Sequence, residues 1–123
     1  MPKTQVVFYR KADGTVPVLE WFDSLPPKAQ DKCRVRIQRG WPNSDTNCAG
    51  RKRAFCRDGI HELRVGLQHM NYRILYFFRG RVAAVLAHGL TKEDRVPEAA
   101  IETALTRKQR YEKDPKLHTF EES

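Results

Sequence analysis

The sequence predicts an α+β domain, an antiparallel β-sheet with helices packed on one face. Two observations lead to this class. The stretch 59–89 contains three successive β-rich runs separated by glycines, as expected of neighbouring strands. Apolar residues recur at helical spacing in the segments before and after that stretch. The predicted order of elements is therefore β-α-α-β-β-β-α.

The central stretch is predicted to form three successive strands. In the segments 60–65 and 72–79, β-rich residues alternate between two sets that would face opposite sides of a strand, and residues 82–86 form a short apolar run. Gly66 separates the first of these segments from the second, and Gly80 separates the second from the third. Because connections this short can join only antiparallel neighbours, we expect a three-stranded meander.

The flanking segments supply the remaining elements. Residues 5–10 have strand character, and proline at a first helical position predicts helices that begin at Pro17, Pro27 and Pro97. The second of these helices is expected to end at Arg39. The residues predicted to face the core from the three helices are Val18, Trp21, Phe22, Leu25, Ala29, Cys33, Ile37, Ala100, Ile101, Ala104 and Leu105.

The length of 123 residues favours one domain, which we place at residues 1–112. Residues 113–123 contain Pro115 and end in an acidic run, so we expect a loosely held C-terminal tail. Residues 40–57 fit neither the helical nor the strand period. A loop of this length is unusual inside a compact domain.

The positive charge is concentrated in the middle of the chain. The net charge is +8, and residues 28–95 hold 15 Lys and Arg against 6 Asp and Glu. Such a basic region predicts contact with nucleic acid or with an acidic protein partner, and charge alone does not separate the two. Within it, the basic triplet Arg51, Lys52 and Arg53 is either an RNA-binding patch or a solvated loop.

The cysteine pattern and the hydropathy exclude several classes of protein. Three cysteines without C-x-x-C spacing indicate neither a disulfide framework nor a zinc ribbon. No apolar run approaches the length of a membrane span. We therefore expect a cytoplasmic protein with reduced thiols, no metal and no membrane association.

Four motifs together are similar to a known family. They are PVLEWFDSLP at 17–26, GIHELRV at 59–65, YRILYFF at 72–78, and HGLTKE from His88 followed by VP and an alanine-rich helix. With these motifs the chain resembles the RelE/ParE toxin superfamily, in particular the phage-derived HigB-like branch of type II toxin–antitoxin systems. The resemblance covers nearly the whole chain except residues 40–57.

This resemblance implies a RelE-like fold and a ribosome-dependent mRNA endonuclease, an mRNA interferase that inhibits translation. The implied partners are a helix-turn-helix antitoxin, the ribosome and mRNA, with no small-molecule cofactor. Two alternatives stay open. One is a non-enzymatic ParE-like toxin that binds a protein such as gyrase, and the other is a degraded toxin that only binds antitoxin.

The resemblance and the chemistry together suggest the site residues. Arg73 matches a phosphate-contacting arginine of the family, and Arg64 and Lys92 match further basic positions. Metal-independent RNA cleavage needs a cation for the phosphate and groups that move protons. Arginine suits the first task, and His88 is a candidate acid or base because its ordinary pKa lies near neutrality. Glu62 is expected to be a structural partner of an arginine.

Residues 40–56 of the atypical segment suggest a hypothesis about the gene. If residues 40–56 are spelled with GC-rich codons, the neighbouring reading frame encodes a peptide with helical periodicity that resembles the family's sequence at this position. We therefore suspect two compensating frame slips. Codons in the genomic DNA that cannot encode this alternative peptide would refute the hypothesis.

Overall fold

A computed structural model of the protein describes residues 5–38, 56–57, 59–80, 83–91 and 96–121. The atypical segment, residues 40–57, thus lies outside the described residues except for Cys56 and Arg57. The frame-slip hypothesis concerns this segment, so the structure does not address it. The described elements are β1 (Gln5–Tyr9), α1 (Pro17–Asp23), α2 (Pro27–Gln38), β2 (Cys56–Arg57), β3 (Ile60–Leu67), β4 (Met70–Arg79), β5 (Ala83–Thr91), α3 (Glu98–Lys113), α4 (Pro115–His118) and β6 (Thr119–Phe120).

The described strands form one sheet in the order β2-β3-β4-β5-β1-β6. Neighbours β3, β4 and β5 are antiparallel, so the predicted meander is confirmed. The first strand, β1, pairs with β5 in parallel orientation. Parallel neighbours need a long connection, and the chain between β1 and β5 includes α1 and α2. Antiparallel pairs dominate, and the α+β class is confirmed.

Helices pack on both faces of the sheet, whereas the sequence predicts them on one. Tyr72 and Ile74 of β4 belong to the core beneath α1 and α2. Leu75 and Phe77 of the same strand belong to a second core beneath α3. Because β4 is apolar on both sides, it is buried on both sides, as central strands covered by two layers usually are.

The β3–β4 hairpin turns two residues later than the glycine at position 66 suggested. Leu67 pairs with Met70, so Gln68 and His69 are the two central residues of the turn. Both have positive φ angles, 51° and 68°, which a type I′ turn requires at these positions. Gly66 lies inside β3.

The C-terminal segment is docked onto the sheet, so the expectation of a loose tail was wrong. Phe120 pairs with Phe8 in the antiparallel contact of β6 with β1. The side chain of His118 is buried, and its Nδ1 lies 2.7 Å from the carbonyl oxygen of Arg10. The N–H of Arg10 donates in return to the carbonyl of His118 at 2.9 Å. These reciprocal contacts fix the edge of the sheet.

No helix in the described parts of the chain combines the length and the apolar character needed to cross a bilayer.

Candidate nucleic-acid interface

Two of the arginines singled out from the sequence face each other across a strand pair. Arg64 on β3 and Arg73 on β4 are directly paired positions. Their neighbours Leu63, Tyr72 and Ile74 point into the core beneath α1 and α2. Since side chains alternate along a strand, both arginines lie on the opposite face, the one that α3 partly covers.

A buried glutamate holds the two guanidinium groups. The Nε of Arg73 lies 3.3 Å from Oε2 of Glu62, and the Nε of Arg64 lies 3.4 Å from the same oxygen. A second nitrogen of Arg64 approaches Oε1 of Glu62, also at 3.4 Å. The carboxylate is therefore shared, as the sequence analysis expected of Glu62. Among the described residues, Glu62 supplies one negative charge against the two positive charges of these arginines.

The two arginines differ in their access to solvent. Arg73 is 3% exposed, and the side chain of Glu62 is 2% exposed. The side chain of Arg64 is 40% exposed. Arg64 is therefore the more accessible of the two guanidinium groups, and Arg73 is a buried ion-pair partner of Glu62. The role of Arg73 as a phosphate contact stays a prediction.

His88 lies on the same face of the sheet, on β5, in the same row of paired residues as Glu62. It pairs with Leu75, which in turn pairs with Glu62 on β3. Its Nδ1 lies 3.3 Å from a guanidinium nitrogen of Arg107. Because arginine can only donate, Nδ1 accepts, and the ring proton is assigned to Nε2.

The surroundings of His88 weaken its role as an acid. Burial, and secondarily the charge of Arg107, lower the pKa of His88 from 6.5 to about 4. At pH 7 only about one molecule in a thousand would carry an imidazolium. The neutral ring can donate a hydrogen bond from Nε2, but it holds no proton ready for a leaving group. The role of His88 as an acid or base in RNA cleavage stays a prediction.

Arg107 was not among the residues predicted from the sequence to form the site. Besides His88, it contacts the carbonyl of Ala87 through a donated hydrogen bond of 2.7 Å, and its guanidinium lies over the ring of Tyr9, 5.8 Å from the centroid. The sequence did contain a signal for Arg107. Position 107 lies on the same side of the helix as the buried residues Ala104 and Tyr111, three residues after the first and four before the second. An arginine on such a stripe needs polar partners beneath the helix.

A close aromatic contact fixes the end of β5. A Cβ atom at Gly89 would lie 2.3 Å from ring atoms of Trp21, so only glycine lets the indole of α1 cross the strand here. The indole N–H donates to the hydroxyl of Thr91 at 3.2 Å. This contact anchors the last described residue before Lys92.

Several predicted site residues lie outside the described residues. They are Lys92 and the basic triplet Arg51, Lys52 and Arg53. Of the described candidates, the structure brings Arg64, Arg73 and Glu62 into contact and places His88 in the same row as Glu62, with Leu75 between. Among the described residues, no group of three or more His, Cys, Asp and Glu side chains could hold a metal ion.

Comparison with protein families gave one match. Residues 20–109 match the family model described as phage derived protein Gp49-like (DUF891). This range covers most of the chain and includes every element from α2 to β5. The chain belongs to this Gp49-like family. Searches of the curated proteins and of the solved structures gave no match.

The Gp49-like family is RelE-like and belongs to a toxin–antitoxin context, which agrees with the fold described above. In this Gp49-like chain the α3 face of the sheet presents one partly exposed guanidinium that a buried carboxylate orients. A planar guanidinium can engage two phosphate oxygens at once and stays charged at any physiological pH. The arrangement is therefore suited to hold a phosphate.

Proposed function

We propose that this Gp49-like protein is the toxin of a type II toxin–antitoxin system, of the HigB-like branch, and cleaves mRNA on the ribosome. One observation carries the proposal. Arg64 stands on the α3 face of the sheet, 40% exposed, and is oriented by a carboxylate that Arg73 holds from behind. A cation fixed in this way loses little side-chain entropy when it binds a phosphate.

The proposed reaction needs no metal. The ribose 2′-oxygen attacks the adjacent phosphorus, the O2′–P bond forms and the P–O5′ bond breaks. The products are a 2′,3′-cyclic phosphate and a 5′-hydroxyl. One proton leaves the 2′-hydroxyl and one proton reaches O5′. Arg64 stabilises the additional negative charge on the phosphate oxygens in the transition state.

The other residues have supporting roles in this proposal. Lys92 follows the anchored end of β5 and donates the proton to O5′ as a general acid. His88, which is neutral, donates a hydrogen bond from Nε2 to the RNA rather than a proton. Arg51, Lys52 and Arg53 contribute phosphate contacts away from the scissile bond.

The proposed cellular partner that silences the toxin is a helix-turn-helix antitoxin, and the proposed location is the cytoplasm, where ribosomes and mRNA occur. An adjacent gene that encodes such a protein, and the copurification of its product with this chain, would support this part of the proposal.

A cell-free translation extract tests the proposed activity. Purified protein is added, and the 5′ ends of the mRNA are mapped by primer extension, with the same mRNA in ribosome-free buffer as the control. Cleavage that requires ribosomes supports the proposal. Intact mRNA together with loss of DNA supercoiling by gyrase would support a gyrase-binding toxin instead. If neither activity is seen and the antitoxin still binds, the chain is a degraded toxin.

A further inference from the structure

A cleft lies between the end of β1 and α3, apart from the Arg64 cluster. Its volume is about 490 Å³, which is within the range of about 300–1,000 Å³ typical of small-molecule sites. The lining residues that matter for its chemistry are Tyr9, Lys11, Thr103, Thr106, Arg107 and Arg110. Ala99 and Glu102 complete the wall.

The cleft is positively charged. Lys11, Arg107 and Arg110 contribute three cations against the single carboxylate of Glu102. Within the described residues, none of the three cations forms an ion pair with a carboxylate. Burial, together with the nearby charge of Arg110, lowers the pKa of Arg107, while Tyr9 acts in the opposite direction. A bound anion would stabilise these neighbouring positive charges.

Tyr9 lines the cleft, and its hydroxyl is buried. Tyr9 is 1% exposed, and among the described residues no group forms a hydrogen bond with its hydroxyl. The ring is held firmly, because the imidazole of His118 stacks on it with a centroid distance of 5.1 Å and the guanidinium of Arg107 lies over it. Buried hydroxyls are nearly always satisfied, so this one calls for a partner that the chain does not supply among the described residues, either a ligand group or an ordered water.

We propose that this cleft binds the phosphate group of a nucleotide, with Arg107, Arg110 and Lys11 as the cations and the Tyr9 hydroxyl as a hydrogen-bond donor. Guanidinium pairs and hydroxyl donors are the usual partners of phosphate oxygens. The volume accommodates one nucleotide, and Glu102 can accept a hydrogen bond from a ribose hydroxyl or a base amino group. The phosphate belongs either to a free mononucleotide or to one residue of an RNA chain.

The test is an NMR titration of the purified protein with inorganic phosphate, adenosine 5′-monophosphate and a single-stranded RNA hexamer. Arg110→Ala removes an exposed cation of the cleft. Lys113→Ala is the charge-matched control, since it removes an exposed cation of the same helix that does not line the cleft. Tyr9→Phe removes only the hydroxyl. Its matched control is Tyr111→Phe, because the hydroxyl of Tyr111 lies 3.0 Å from that of Thr119 and is satisfied.

The proposal expects saturable binding of the mononucleotide or the RNA, with shifts at Thr103 and Thr106. Arg110→Ala and Tyr9→Phe should each weaken this binding about tenfold, as expected for a hydrogen bond to a charged group. Lys113→Ala and Tyr111→Phe should leave it within twofold. Tyr9→Phe should not lower the melting temperature, because it breaks no hydrogen bond in the free protein, whereas Tyr111→Phe should lower it.

The three ligands distinguish the source of the phosphate. Tight binding of the mononucleotide identifies a free nucleotide, whereas binding of the RNA alone identifies a nucleotide within a chain. Absence of saturable binding of all three ligands, or equal binding by Arg110→Ala and Lys113→Ala, would overturn the proposal. The titration contains no ribosomes, so its outcome is independent of the proposed mRNA cleavage.

Discussion

Arg73 and Glu62 form a buried ion pair in which Nε and Oε2 are 3.3 Å apart, and this pair holds the partly exposed Arg64 in place. A carboxylate taken out of water is costly unless it is paired on several sides. Glu62 meets this need with two arginines, one behind it and one in front. The pair thus links the stability of the sheet to the orientation of the cation that we propose binds RNA.

The ion pair makes Arg73 important for folding. We expect Arg73→Ala to lower the free energy of unfolding by about 3 kcal/mol, because a buried carboxylate loses one of its partners. Arg64→Ala, the matched control, should lower it by about 1 kcal/mol or less, since its side chain is partly in water. Urea denaturation measures both, and equal losses would contradict this assignment.

Acid should weaken the fold through His88. Its pKa is about 4 in the folded protein and 6.5 as the ordinary value. The unfolded chain therefore binds a proton at His88 that the folded chain does not bind in this interval. The stabilising contribution is complete above pH 6.5 and is lost as the pH falls towards 4.

His88→Gln is the control for this pH dependence, because it removes the titrating group and keeps a polar side chain at the position. Denaturation between pH 4 and 7 should show a smaller loss of stability for the variant than for the wild type. NMR titration of the imidazole gives the pKa directly. A value near 6.5 in the folded protein would refute the buried, neutral histidine.

Gly89 is expected to be intolerant of any side chain. A Cβ atom there would lie 2.3 Å from the ring of Trp21, so Gly89→Ala must displace the indole and its hydrogen bond to Thr91. Overpacking of this kind costs about 1–3 kcal/mol. Gly66→Ala is the control, since its Cβ would find no neighbour closer than 4.0 Å. Thermal unfolding should show a lower melting temperature for Gly89→Ala only.

The β3–β4 turn offers a stabilising change. Gln68 and His69 occupy left-handed backbone conformations that non-glycine residues adopt at a cost. Replacing the pair by Asn-Gly, the preferred sequence of a type I′ turn, should raise the free energy of unfolding by about 0.5–1 kcal/mol. Asn-Ala at the same two positions is the control, because alanine does not relieve the strain at position 69. No gain over this control would mean that the turn is not of this type.

Much of the fold could be predicted from the sequence because its signals are local. The β-rich runs that form β3 and β4, and the prolines at positions 17 and 27 that begin helices, can each be recognised from a few consecutive residues. The division of helices between two faces is not local. Residues 74–78 are uninterruptedly apolar, and this pattern is typical of a strand buried on both sides, but it does not say which helix covers which side.

The candidate site could be predicted only in part. Arg64 and Arg73 were named from the family resemblance, and Glu62 was expected to be a structural partner of an arginine. The structure brings the three side chains into contact. The sequence did not indicate that Arg73 is buried. Sequence reasoning also missed Arg107, because its contact with His88 joins positions 19 residues apart along the chain.

The most direct test of the account is single-turnover cleavage of mRNA on ribosomes by two variants. Arg64→Ala removes the exposed cation of the cluster, and Arg36→Ala removes an exposed arginine of α2 on the opposite face. We expect the first variant to lose about 100-fold or more in cleavage rate, the usual effect of removing a donor to a developing charge. The second should stay within twofold of the wild type. Equal rates for the two variants, with both proteins folded, would contradict the central claim.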